Sequence, residues 1–83
     1  MLEREELQKK YQKNILRIWK KHHIQPSIIL EYLYMKQNDE QEALQMLTLE
    51  IQRSQIYNNT LSYSNFTDTI NQTTQQVLQE LKR

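Results

Sequence analysis

From Leu7 to His23 apolar and cationic residues recur every three to four positions, the spacing of an amphipathic helix. Turned by about 100° per residue, Leu7, Tyr11, Ile15, Leu16, Ile18 and Trp19 gather on one side. Lys9, Lys10, Lys13, Arg17, Lys20 and Lys21 gather within about a third of the circle on the other. No acid interrupts that row between Lys9 and His23. The pattern predicts a first helix over about residues 2–23, with its oily half packed on later helices and Trp19 as a core anchor. Glu3, Glu5 and Glu6 suit its positive start, and Lys20 and Lys21 its negative end. Gln25-Pro26 ends it, because the residue before proline is driven out of the helical region.

Three further helices follow from the same periodicity. Pro26 suits the first turn of a short second helix, about 26–37, in which Ile28, Ile29, Tyr32, Leu33 and Met35 cover much of the circumference. It is therefore expected to be the most enclosed element. Asn38 and Asp39 each stand three residues before a Gln or Glu, a helix-start spacing that opens a third helix over about 39–57. Ala43, Leu44, Leu47 and Ile51 form one stripe there, with Met46, Leu49, Ile56 and Tyr57 partly round the side. Residues 58–64, NNTLSYS, read as a loop. The fourth helix, about 65–82, is expected to be capped by Ser64 or Asn65. It carries the stripe Phe66, Ile70, Thr73, Val77 and Leu81 on a Thr- and Gln-rich background, so it depends on packing.

Composition sharpens this picture. The chain has no glycine, which argues against β-hairpins and phosphate-cradling loops. Asn, which tolerates the left-handed region, is expected at helix ends instead. The fold class is therefore all-α, a small four-helix bundle with a short second helix. With 83 residues it forms a single domain over 1–83 with one modest core. The 12 Gln and 6 Asn are spread through the helices and form no prion-like tract. The absence of cysteine excludes disulfides and thiolate chemistry and favours a reducing compartment. The charged N-terminal residues do not resemble a secretory signal, and no run approaches the ~18 apolar residues of a membrane span. A cytoplasmic protein is the expectation. The glycosylation-like triplets at Asn58, Asn65 and Asn71 carry no weight without a secretion signal.

The formal net charge is only +1, but it is unevenly distributed. Lys9 to His23 holds six cations and no acid, whereas residues 24–53 hold five acids against Lys36 and Arg53. Such a chain can dock its acidic helix on its basic one or offer the basic face to a partner.

Candidate chemistry is sparse. Neighbouring His22 and His23 point about 100° apart on a helix and cannot easily share a metal, so they are read as favouring the helix dipole. Asp39, Glu40 and Glu42 read as a helix-start cluster, and no serine sits in a glycine-flanked nucleophile turn. The chain is expected to be no enzyme, with no cofactor and no metal. The basic face can be solvated exterior, a nucleic-acid patch, an anionic-membrane surface or a dock for an acidic protein. Five lysines to one arginine, with no aromatic interleaved, disfavour base readout, and the membrane reading ranks low. A turn around Pro26 keeps a helix-turn-helix variant open. The five tyrosines exceed what so small a core can bury with satisfied hydroxyls. Tyr34, Met46, Leu49 and Tyr57 are the candidate partner-binding residues. The expected function is a non-enzymatic interaction module, such as a small regulator, inhibitor or immunity-type factor, binding another protein or its own copy. The alternative is nucleic-acid binding through the basic face.

Overall fold

In the computed structural model of the chain, residues 1–57 and 66–82 are described, apart from the side chains of Ile56, Tyr57 and Phe66. They form α1 (Arg4–Lys10), α2 (Gln12–His22), α3 (Pro26–Lys36), α4 (Glu40–Tyr57) and α5 (Phe66–Lys82), with no strand among the described residues. The all-α class holds. The expected loop over 58–64 and the expected caps Ser64 and Asn65 lie outside the described residues.

The count of four helices is corrected to five, because the first segment breaks at Tyr11. There the backbone opens to φ −109° and ψ 17°. The bonds from the Tyr11 amide to the Leu7 carbonyl, 2.9 Å, and from the Ile15 amide to the Tyr11 carbonyl, 2.8 Å, still span the break. Its reason is tertiary. α1 packs on α3, whereas α2 packs on both α3 and α5, and the bend lets one stretch of sequence serve both directions. Two contacts hold α1 in place. Arg4 forks onto the Glu31 carboxylate at 2.9 and 3.1 Å. Gln37 accepts from the Leu2 amide at 2.7 Å and donates to the Leu2 carbonyl at 2.9 Å.

α3 is the hub, packed against α1, α2 and α4, and no residue from Ile28 to Met35 is exposed. One core cluster runs through every helix. It joins Leu7, Ile15 and Ile18 to Ile29, Tyr32 and Leu33, and then to Leu47, Ile51, Ile70, Val77 and Leu81. Ile24, in the α2–α3 link, is buried with them. Burying a side chain of this size contributes on the order of 2 kcal/mol. Thr74 enters the same region because its hydroxyl donates to the Ile70 carbonyl at 2.8 Å, leaving no orphaned oxygen.

Without glycine, the helix ends are satisfied in other ways. The residue after α2 is His23, at φ 60° and ψ 29°, whose amide donates to the Trp19 carbonyl at 2.9 Å. A histidine therefore fills the left-handed position expected of an asparagine. The carbonyl of His22, at the end of α2, accepts from the Ser54 hydroxyl of α4 at 3.3 Å. Near the end of α5 the Glu80 carbonyl accepts from the Asn14 side-chain amide of α2. Each belongs to the last turn of its helix, where carbonyls lack partners within the helix. At the start of α4 the Asp39 carboxylate accepts from the amides of Gln41 and Glu42, both at 3.1 Å.

Candidate functional site

The oily half of the opening segment is narrower than its sequence suggests. On α2 the buried seam is Ile15, Ile18 and His22, at spacings of three and four. Trp19 is 46% exposed and Leu16 40% exposed, so the expectation that they belong to the core is corrected. The physical reason is a helix's limited reach. α2 meets α3 and α5 along a stripe centred on Ile18, Ile15 and His22. Trp19 lies at the margin of that stripe and Leu16 beyond it.

His22 is the polar residue of α2 that took a buried place. It is 9% exposed, and its Nε2 has no hydrogen-bond partner among the described residues. Burial pushes its pKa below the ordinary histidine value, with Lys21 and His23 adding to the effect and Glu80 opposing it. His22 does sit in the last turn of α2, as expected, and its burial disfavours the charged form there.

Lys9, Lys10, Lys13, Arg17, Lys20 and Lys21 are all exposed. The break at Tyr11 puts Lys9 and Lys10 on α1 and the other four on α2. Lys10 reaches over the Tyr11 ring, with Nζ 5.4 Å from its centre. Arg17 donates to the Glu80 carboxylate of α5 at 3.2 Å. Lys13, Leu16 and Lys20 share the outward sector of α2, flanked by Trp19 on one side and by Arg17 and Lys21 on the other. Trp19 is thus set off from the cations by Leu16, and no aromatic is interleaved among the four cations of α2.

The described candidate partner-binding residues differ in their surroundings. Tyr34 on α3 is half-buried, with the Arg4 guanidinium 3.9 Å from its ring centre. One face of the ring is thus occupied by its own chain. Met46 packs partly against the core. Leu49 is 65% exposed on α4, where Leu44, Gln45 and Thr48 complete a shallow apolar shelf. The Tyr57 side chain lies outside the described residues.

A cavity of about 140 Å³ opens between α3, α4 and α5, lined by Tyr11, Tyr32, Leu33, Glu40, Leu81 and other side chains. Burial, with Glu40 adding, pushes the Tyr32 hydroxyl pKa up. Among the described residues, no three His, Asp or Glu side chains come together as metal ligands. No described helix is long and apolar enough to cross a membrane.

The exposure of Trp19 and Leu16 was hidden by a competition between residue types. The spacing Ile15, Ile18, His22 is as regular as Ile15, Trp19, and hydrophobicity alone favours tryptophan over histidine. Comparison with known protein families, curated proteins and solved structures finds no match to this chain.

Proposed function

We propose that this protein is a non-enzymatic interaction module that binds another protein through the outer surface of its helices, as a small regulator, inhibitor or immunity-type factor does. The observation that carries this reading is the pair Trp19 and Leu16, both left partly in solvent on a helix whose inner stripe is buried in the core. Tryptophan in water exposes a large apolar surface, and such residues recur as the anchors of protein interfaces. Leu49 gives α4 a second exposed apolar position, suited to a further contact or to a second copy.

The test is differential capture from the source cell with the wild-type chain and with Trp19→Ala and Leu49→Ala, each first shown to keep its helicity. A protein retained by wild type and lost with either variant supports the reading. Identical captures from all three chains would oppose it. Tyr34→Ala and Met46→Ala are compared by oligomeric mass, and lower association at unchanged helicity implicates those positions.

The second reading is nucleic-acid binding through the basic row. Trp19 favours it, because an exposed ring on the helix that carries four of the cations can stack a base while the cations follow phosphates. Its signature is a steep loss of DNA or RNA affinity with added salt, and no binding at low salt removes it.

A further inference from the structure

The exposed side of α2 has an apolar flank, Leu16 and Trp19, with a cationic rim along one edge. Leu16 and Trp19 are one turn apart, and both are exposed. Lys13 and Lys20 flank Leu16 and are seven residues apart, which sets them about 10 Å apart along the helix axis. Lys21 adds a third cation, and Arg17 is drawn toward Glu80. No acid of α2 neutralises the rim, because Gln12–His22 contains none.

We infer that this surface docks an acidic amphipathic helix of another protein. The inference rests on the interaction-module reading and adds the chemistry of the partner. Its apolar residues would cover Trp19 and Leu16, and carboxylates two turns apart would face Lys13 and Lys20. Charge complementarity points to this occupant, since an apolar flank edged by cations matches an apolar stripe edged by carboxylates. A membrane surface fits less well. A helix that lies in the lipid interface turns its whole apolar face to the bilayer, and α2 has already buried Ile15 and Ile18 in the core. Nucleic acid accounts for the lysines and for Trp19 but leaves Leu16 without a role.

Trp19 is the sole tryptophan, so its emission reports directly on cover over this surface. Four probes are titrated into the intact chain. The first is a tryptophan-free helical peptide of about 18 residues with a leucine stripe flanked by glutamates. The second is the same peptide with glutamine in place of glutamate. The third is oligo(dT), and the fourth is vesicles of phosphatidylserine and phosphatidylcholine.

The expected result is a saturable blue shift with the glutamate peptide, weakening about tenfold between ~50 and ~300 mM NaCl. Lys13→Gln with Lys20→Gln should lower that affinity about tenfold, and Leu16→Gln severalfold, at unchanged helicity. An equal shift with the glutamine peptide overturns the acidic partner while leaving a protein partner standing. A shift with oligo(dT) or vesicles and none with either peptide overturns the inference and the protein-partner reading of this surface. A shift on concentrating the protein alone assigns the surface to a second copy and overturns the inference, as does no shift with any probe.

Discussion

Arg17 of α2 donates to the Glu80 carboxylate of α5 at 3.2 Å, and the neighbouring Asn14 donates to the carbonyl of the same residue. One cation of the basic row is thus engaged in holding two helices together. The two bonds differ in value. The Glu80 side chain is largely covered, but Arg17 is half-exposed, and a pair open to water on one side contributes little. Asn14 is partly buried and satisfies a carbonyl in the last turn of α5. Asn14→Ala is therefore expected to cost about 1 kcal/mol and Arg17→Ala about 0.5 kcal/mol or less. Urea denaturation of the two variants checks the order, and a larger loss for Arg17→Ala would contradict it.

His22 gives the fold a pH dependence whose direction follows from its burial. Burial, aided by Lys21 and His23 and opposed by Glu80, holds its pKa below the ordinary value. The unfolded chain therefore binds this proton more readily than the folded one. Stability falls as the pH drops through the ordinary histidine range, near about 6.5, and the loss is complete only below the folded pKa. His22→Leu removes the charge that must be buried and should flatten this part of the profile. Denaturation midpoints of wild type and variant, followed from neutral to mildly acidic pH, decide the matter. A wild type as flat as the variant refutes the assignment. Glu31, held below the usual carboxylate range by its hydrogen bonds to Arg4, adds a separate loss at more acidic pH, as it protonates.

His23 occupies a left-handed backbone position at φ 60°. A side chain with a Cβ is strained there by roughly 1 kcal/mol, and glycine is not. His23→Gly should raise stability by about 0.5–1 kcal/mol, less whatever the added freedom of the unfolded chain removes. A β-branched replacement, His23→Val, should lower it. Thermal melts of the three chains give the ranking, and a destabilised glycine variant counts against the strain.

The two bulky apolar residues Ile18 and Trp19 adjoin in sequence but differ in environment, and their truncation should separate them. Ile18 is fully buried and Trp19 is close to half-exposed. Ile18→Ala should cost about 2–5 kcal/mol through lost burial and the cavity left behind. Trp19→Ala should stay within about 1 kcal/mol, as surface changes do. Equal losses would mean that the tryptophan anchors the core after all.

What could be read from composition and periodicity was local. The lack of glycine and the three-to-four spacing of apolar residues specify helices because those are properties of single turns. The second stretch, starting at Pro26 with apolar residues around most of its circumference, was legible as the enclosed element, and it is the hub α3. The Asp39 start of α4 was legible for the same reason, since a side-chain cap bonds only two or three residues ahead. The candidate site was legible only as a row of cations.

The rest depended on contacts between residues far apart in sequence. Nothing in the residue types at Tyr11 calls for a break, and the break follows from α1 and α2 serving different neighbours. The choice of His22 over Trp19 for the interior followed from the line along which α2 meets α3 and α5. Periodicity assigns a residue to a half of the helix, but only packed neighbours decide how wide the covered stripe is. That width is why a tryptophan read as core stands half in solvent at the edge of the packed stripe.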